Sequence, residues 1–224
     1  MLMIVSAKSY GQKFFPGRFT DTKGNTENGY IRINPSPNGP IKDEGFIEFK
    51  EDDKSNPFKL TATELKDFVI GKDSFVVAHP PQNESWGKNE IDFVRVALDE
   101  DIKIYVIGSG GGGSGNGKRG LAFQPGISTG IGTGGFGTGL GAGISIPIGG
   151  GGGGNGNYAR SAWYYGANTA EMKRITNDNF EDVLSDIMGD FPEVVDRIHA
   201  KVYILENIDR LIAYFKQVVA ANKK

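Results

Sequence analysis

The chain has 224 residues, a formal net charge of −2 and no cysteine. The near-neutral charge argues against nucleic-acid binding, which needs a basic surface to displace phosphate counterions. The lack of cysteine excludes a disulfide framework, a thiol nucleophile and a cysteine-ligated metal. Glycine supplies 34 residues, and 24 of them lie between Gly108 and Gly156. The remaining chain has an ordinary composition and is long enough for one substantial core.

The first residues, MLMIVSAKSYGQ, have features of an export signal. A short apolar run from Met1 to Val5 precedes Ser9 and Gly11, which suit the small-residue positions of a signal-peptidase site. We therefore predict that residues 1–11 are the remnant of a signal peptide and that the protein is exported, to the periplasm or the cell surface. The alternative is an N-terminal strand. No stretch reaches the roughly 18–20 apolar residues of a membrane-spanning helix.

Residues 12–107 are predicted to form the β-rich part of a single domain. Alternation of apolar and polar residues indicates strands in GYIRIN, GFIEFK and PFKLT, and two more in ELKDFVIGKDSFVVA. The segment HPPQNESWGKNE is predicted to be a loop, because adjacent prolines remove backbone donors. The clearest hairpin is IDFVRVALDEDIKIYVIG, with strands at 93–98 and 102–107 joined by the acidic turn DED.

Residues 108–157 are predicted to be a glycine-rich, low-complexity insertion in a hairpin. The segments ARSAWYYG and AEMKRIT, after the insertion, have the composition of strands. They would continue a four-stranded meander if the insertion were absent, and the cost of closing a loop grows slowly with its length. Residues 158–224 would then hold the last strand pair and the C-terminal helices of the same domain.

Nucleotide-binding motifs inside the insertion do not predict a cofactor. A G-x-G-x-x-G pattern needs a strand before it and a helix after it, and neither flanks Gly132, Gly134 and Gly137. A phosphate-loop pattern ends with Arg119 where a serine or threonine is needed. Between Ile127 and Ile148 apolar and small residues alternate, so a β element that docks on a partner or self-associates is the alternative to a plain loop.

From Thr176 the apolar period changes from that of a strand to that of a helix. One helix is predicted in TNDNFEDVLSDIMG, and a second, short one with Asp190 as its cap and Pro192 in its first turn. The last helix carries an apolar face made by Leu205, Ile208, Leu211, Ile212, Phe215 and Val219. Strands followed by helices predict an α+β fold, an antiparallel meander sheet or small open barrel with two to three C-terminal helices.

The chain offers few candidates for chemistry. Its two histidines, His79 and His199, lack ligand-spaced partners and are predicted to be surface or capping residues. The acidic runs at 51–53 and 99–101 fall in turns, where carboxylates are favoured for backbone reasons. Aromatic residues are the candidates for a partner-binding surface, with core packing as the alternative: Trp86, Trp163, Tyr164, Tyr165 and, in the insertion, Phe136. No catalytic, cofactor-binding or metal-binding residue is predicted.

Two stretches together resemble a group of uncharacterised exported proteins of Bacteroidota. The first contains Gly24, Thr26, Gly29 and Ile31, then Ile47, Phe49 and Lys50, then Leu60, Thr61, Glu64, Leu65, Lys66 and Phe68. The second, WYYGAN…MKRITNDNFEDVLSDIMGDFPEVVDRIHAKVYILENIDRLIAYF, has an aromatic strand, an Asn-Phe pair, a proline break and a final helix. The resemblance implies export and an α+β fold, and it transfers no catalytic residue.

These observations favour an exported, non-enzymatic domain that binds an unknown protein or envelope component. The alternatives are a carboxylate-dependent hydrolase or carbohydrate-active enzyme, and a structural component that self-associates through the glycine-rich segment. A concave pocket that holds two acidic residues would favour the enzyme. An exposed apolar or aromatic patch would favour the binding module.

Overall fold

The computed structural model describes residues 14–33, 39–108 and 161–223. Its strands form one antiparallel sheet in the order β10-β9-β8-β7-β6-β5-β1-β2-β3-β4. In chain order they are β1 (Phe15–Asp21), β2 (Thr26–Ile33), β3 (Phe46–Lys50), β4 (Phe58–Thr61), β5 (Leu65–Ile70), β6 (Asp73–Ala78), β7 (Asp92–Leu98), β8 (Lys103–Ile107), β9 (Ala162–Gly166) and β10 (Lys173–Arg174). The helices α1 (Phe180–Ile187), α2 (Pro192–His199) and α3 (Ile208–Asn222) follow. The predicted α+β fold is confirmed.

Strand β1 was not predicted, and it is the strand that joins β2 to β5. It pairs with β2 on one side and with β5 on the other. Its sequence, FPGRFTD, hides the strand because Pro16 and Gly17 are poor strand formers. Pro16 pairs only with Tyr30 of β2, since the pairing with β5 begins at Gly17. The missing N–H of Pro16 therefore interrupts no ladder on the β5 side.

The half of the sheet from β5 to β4 curls on itself. Strands β4 and β5 lie four places apart in the sheet, yet only the 3₁₀ turn Ala62–Glu64 connects them. Flat strands about 4.8 Å apart would place β4 and β5 about 19 Å from each other. Four Cα–Cα steps span at most about 15 Å. The curl encloses an apolar core in which Phe19 of β1 meets Phe49 of β3, with ring centroids 4.8 Å apart.

The other half of the sheet carries the helices on one of its faces. Residues of β7, β8 and β9 share a core with all three helices, including Val106, Trp163, Leu184, Ile198 and Leu211. The predicted pairing across the glycine-rich segment is confirmed, because β8 and β9 are antiparallel neighbours from Lys103↔Gly166 to Ile107↔Ala162. Residues 109–160 lie outside the described residues, so the insertion itself stays a prediction.

Two details of the helices differ from the prediction. The residue that precedes α2 is Phe191, and Asp190 makes no capping hydrogen bond, because the chain enters the helix one residue later than expected. Pro192 does occupy the first turn. In α3 the buried face uses Val218, while Leu205 lies in the preceding 3₁₀ turn. None of the helices in the described part of the chain is both long and apolar enough to cross a membrane.

Asp92, at the start of β7, joins the loop before β3 to the rest of the sheet. Its carboxylate accepts hydrogen bonds from the Asn89 side chain at 2.7 Å and from the Phe93 N–H at 2.8 Å. Gly45 packs so closely that a Cβ there would lie 2.2 Å from Asp92 Oδ1. Burial raises the pKa of Asp92, and these hydrogen bonds only partly oppose the effect.

Replacing Asp92 by asparagine is expected to remove a pH-dependent penalty. Because the folded-state pKa is raised, the contribution of Asp92 to stability is complete below its unfolded pKa of about 3.9 and is lost as pH rises through the folded value. The free energy of unfolding of the variant, relative to that of the parent, should therefore increase as the pH rises from about 4 towards neutrality. Urea unfolding at several pH values measures this gain, and a difference that does not change with pH would contradict the assignment.

Candidate functional site

A hydrogen-bonded network lies on the face of the sheet opposite the helices. Successive residues of β9 point to opposite faces, so Trp163 belongs to the helix-covered core and Tyr164 to the other face. The indole Nε1 of Trp86 donates to Tyr164 Oη at 2.9 Å. Tyr164 Oη in turn donates to Glu84 Oε2 at 2.8 Å. Arg174 also donates to Glu84 Oε2, at 3.3 Å. The network ties the loop after β6 to the last two strands.

An open cleft of about 510 Å³ lies beside this network, between the loop after β6 and the β9–β10 connection. Burial and the neighbouring Glu84 carboxylate raise the pKa of Tyr164 to about 12, so this phenol remains a donor at physiological pH. Glu84 Oε2 accepts from both Tyr164 and Arg174, which makes this carboxylate a structural acceptor. Glu171, the other carboxylate that lines the cleft, is bonded to Asn168 at 3.0 Å. Among the described residues that line the cleft, both carboxylates are thus engaged by a neighbouring donor.

Replacing Tyr164 by phenylalanine is expected to lower the free energy of unfolding by about 1–3 kcal/mol, because the Trp86 N–H and Glu84 lose a buried partner. Tyr165→Phe is the matched control, since Tyr165 is half-buried on the other face and makes no side-chain hydrogen bond among the described contacts. Urea unfolding, monitored by tryptophan fluorescence, gives the free energy of unfolding of both variants. Equal losses in the two variants would show that the hydroxyl of Tyr164 contributes nothing.

Ser185, His199 and Glu181 have the residue types of a catalytic triad but not its geometry. Ser185 Oγ lies 3.3 Å from His199 Nε2, and Glu181 Oε1 lies 4.0 Å from the same nitrogen. A triad needs the acid on one ring nitrogen and the nucleophile on the other. His199 is exposed at the end of α2, as predicted. His79 is also exposed, and its Nδ1 lies 2.8 Å from the Glu90 carbonyl oxygen.

The acidic turn at residues 51–53 stabilises its backbone in the way that was predicted, whereas the contact recorded for the turn at 99–101 is between side chains. Asp52 accepts hydrogen bonds from the N–H groups of Lys54 and Ser55, each at 2.7 Å. Asp99 forms an ion pair with Lys103 at the β7–β8 turn. Among the residues that the structure describes, no group of three or more His, Asp or Glu side chains is arranged to hold a metal ion.

The predicted aromatic residues do not share one surface. Trp86 is 9% exposed and packs on Tyr164, on the face without helices. Trp163 is 6% exposed and belongs to the helix-covered core. Tyr165 is half-buried against that same core, while Phe136 lies outside the described residues. Trp86 and Trp163 are therefore interior side chains, in line with the core alternative, and a role for any of the four in partner binding stays a prediction.

The loop between α2 and α3 exposes two large apolar side chains that the sequence analysis did not single out. Val202 is 53% exposed and Ile204 is 45% exposed. Between them, Tyr203 turns inward and stacks on Tyr214, with ring centroids 5.9 Å apart. The alternation of apolar residues in the segment KVYIL was the available signal, and no prediction of a surface was made from it.

Local hydrogen bonds fix the shape of this loop. The Val202 N–H donates to the Arg197 carbonyl at 3.0 Å. The Asn207 side chain accepts from the Ile204 N–H at 2.8 Å and donates to the Val202 carbonyl at 3.4 Å. Lys201 has a φ of 55°, in the left-handed region that a residue with a Cβ adopts at a cost. These bonds hold Val202 and Ile204 in place, so their exposure is a defined feature of the surface.

The other large apolar side chains that are exposed, among the described residues, lie in the curled half of the sheet. Phe58 is 44% exposed, but its ring packs on the buried Phe49 with centroids 5.5 Å apart. Ile41 is 48% exposed in the loop before β3. Neither has a large apolar neighbour of similar exposure within two residues, so Val202 and Ile204 form the more concentrated patch among the described residues.

The structure defines the class of the protein as an α+β domain with an antiparallel sheet, one face of which is covered by C-terminal helices. Comparisons of the chain with protein-family models, with curated proteins and with solved structures found no match.

Proposed function

We propose that this protein is an exported, non-enzymatic domain that binds a protein partner through the α2–α3 loop. The observation that carries the proposal is the exposure of Val202 and Ile204, side by side on a loop of fixed shape. Large apolar side chains are costly to leave in water, and concentrated patches of them mark interaction sites. A preformed loop also binds with a smaller loss of conformational entropy than a flexible one.

Site-specific photo-crosslinking in cells tests this function. A photoreactive amino acid at position 204 is expected to give one discrete adduct with a partner protein. The same amino acid at Glu27, which is exposed on β2 in the curled half of the sheet, is the matched control and should give little of that adduct. The adduct should also decrease when Val202 is replaced by serine in the crosslinking variant. A smear of unrelated products, or equal adducts at both positions, would contradict a specific surface.

The enzymatic alternative has weaker support. The cleft beside Tyr164 holds Glu84 and Glu171, but each is engaged by a neighbouring donor. The acid and base of a glycoside hydrolase must both be accessible to the substrate. The alternative would be favoured if hydrolysis of a polysaccharide or ester substrate by the purified protein were lost on Glu84→Gln and kept on Glu90→Gln.

Self-association through residues 108–157 is the third function under consideration. Because Ile107 and Ala162 pair directly across the segment, a short loop can close this hairpin. Deleting residues 110–156 is expected to leave a cooperative melt with a midpoint close to that of the parent. Calorimetry measures the midpoint and sedimentation gives the oligomeric state of both proteins. A collapse of the melt would show that the segment belongs to the core, and loss of an oligomer would support self-association.

Export is part of the same proposal and is supported by the pattern of the first residues and by the resemblance to exported proteins of Bacteroidota. The mature chain is expected to begin at Gln12 and to be recovered from the periplasmic or surface fraction. N-terminal sequencing of protein from its native cells tests both points. A chain that keeps Met1 and remains with cytoplasmic markers would contradict export.

A further inference from the structure

We propose that the partner docks with a polypeptide segment whose apolar side chains are flanked by lysine or arginine. The receiving surface, here called the acidic docking surface, consists of Val202, Ile204 and the exposed carboxylates of α1, α2 and their connections. The inference rests on the proposed function and adds the chemistry of the partner. It follows from the concentration of negative charge around the exposed apolar pair.

The charge of this region differs from that of the whole chain. Between Asn177 and Asn207 there are eight carboxylates and two basic side chains, against a formal net charge of −2 for all 224 residues. All eight carboxylates are exposed: Asp178, Glu181, Asp182, Asp186, Asp190, Glu193, Asp196 and Glu206. Of the two cations, Arg197 lies over the Tyr214 ring at 4.3 Å, and Lys201 is exposed. The surface is therefore strongly acidic.

Within the described part of the chain, these carboxylates lack lysine and arginine partners. No lysine or arginine of the described ranges forms an ion pair with any of the eight. The basic side chain recorded in contact with one of them is His199, whose Nε2 lies 4.0 Å from Glu181 Oε1. Unpaired like charges repel each other, so a cationic partner gains from relieving that repulsion.

The apolar pair and the acidic field belong to one surface. His199 contacts Ser185, so the last turn of α2 lies against α1. Val202 follows His199 by three residues, and its N–H is bonded to the Arg197 carbonyl of that last turn. A partner side chain seated on Val202 and Ile204 is thereby placed beside the carboxylates of both helices. Apolar contact then supplies most of the binding affinity, while the charges orient the partner and raise the rate of association.

The same charges argue against other occupants. An anionic membrane surface and a nucleic acid would both be repelled by eight exposed carboxylates. A second copy of this surface would bring like charges together, and their repulsion opposes self-association through it. The occupant that satisfies both features is a basic polypeptide segment with apolar anchors.

Binding of a synthetic peptide tests the chemistry with purified, full-length protein. The probe is a fluorescein-labelled peptide of leucine and lysine, and a leucine–glutamate peptide of equal length is the negative probe. Anisotropy titrations at low and at physiological salt should show binding of the first probe only, with the affinity falling as salt rises. Failure of the basic probe to bind, or equal binding of the acidic probe, would overturn the proposal.

Two surface variants and one control separate specific docking from general attraction. The charge variant Asp182→Lys/Asp186→Lys and the apolar variant Val202→Ser/Ile204→Ser should each weaken binding about tenfold, equivalent to about 1.4 kcal/mol. The control Glu27→Lys/Glu51→Lys reverses two exposed charges in the curled half of the sheet and should change binding less than twofold. Equal effects of the charge variant and the control would overturn the assignment of the surface.

The outcomes also distinguish this inference from the proposed function. Circular dichroism melts of all variants establish that each one is folded before its binding is compared. If the adduct at position 204 forms in cells while the basic probe does not bind, partner binding stands and the chemistry inferred for the partner is wrong. If the probe binds as expected and no adduct forms, the surface has the inferred chemistry and the proposed function fails.

Discussion

Replacing Phe68 by alanine is expected to lower the free energy of unfolding by about 3–5 kcal/mol, because it opens a cavity at the junction of the two halves of the sheet. Phe68 of β5 is fully buried. Its ring stacks on Phe75 of β6 with centroids 4.6 Å apart. It also meets Phe93 of β7 edge to face at 5.0 Å. No smaller side chain at this position can keep both ring contacts.

Phe58→Ala provides the matched control for this prediction. Phe58 also packs on another ring, that of Phe49, but its side chain is 44% exposed at the start of β4. Its truncation should cost less than about 1 kcal/mol, because little buried area is lost and water can fill the space. Urea unfolding of both variants measures the contrast. If Phe68→Ala lowered the free energy of unfolding as little as Phe58→Ala does, the core around β5 would have to relax to fill the cavity.

Replacing Arg95 by methionine is expected to cost about 3 kcal/mol, because it leaves the Asp73 carboxylate near the sheet–helix interface without its guanidinium. Arg95 Nη1 lies 3.3 Å from Asp73 Oδ1, and the side chains are only 16% and 9% exposed. Burial lowers the pKa of Arg95, while the charges of Asp73 and of Asp209 on α3 oppose that effect. The pair therefore links β6 to β7.

Two further variants separate lost charge pairing from lost packing. Arg18→Met removes an exposed arginine of β1 and should change stability by less than about 0.5 kcal/mol. The double variant Arg95→Met/Asp73→Leu should recover much of the loss, because apolar replacement of both partners of a buried ion pair is often tolerated. If the double variant is less stable than Arg95→Met alone, the cost arises from the packing of the arginine stem and not from the lost Arg95–Asp73 ion pair.

The stability of the interface beside α3 matters for the proposed docking surface. The surface lies on helices that are held to the sheet by one shared core. Ile198 belongs to this core, and Leu205 and Tyr214 pack against it. Variants of Phe68 and Arg95 act on the sheet and do not touch the loop that carries Val202 and Ile204. Their binding of the basic probe should therefore remain close to that of the parent wherever they are fully folded.

The local pattern of the sequence was sufficient for most elements. Alternation of apolar residues identified the strands from β2 to β9, since a strand with one buried face needs that period. The helical period located all three helices, and Pro192 fell in a first turn as expected. Strand β1 was missed because Pro16 and Gly17 interrupt its pattern, and its partner β5 lies more than forty residues away. The N-terminal half of the sheet therefore could not be ordered from local signals.

The candidate site was the part that the sequence analysis predicted least well. Aromatic residues were chosen for their type, yet Trp86 and Trp163 are buried on opposite faces of the sheet. The exposure of Val202 and Ile204 depends on how Tyr203 turns towards Tyr214, which is a packing contact between the α2–α3 loop and α3. Burial is a property of the packed molecule, and residue type alone does not determine it.

The sequence by itself determined the α+β class, the pairing of the strands on either side of the glycine-rich segment and the acidic character of the region from Asn177 to Asn207. These features follow from residue periodicity and charge, which are local. Only the tertiary structure decided that β1 lies between β2 and β5, that Tyr164 is tied to Trp86 and Glu84, and which apolar side chains face solvent. Those features depend on which distant segments pack together, and that choice minimises exposed apolar surface over the whole chain.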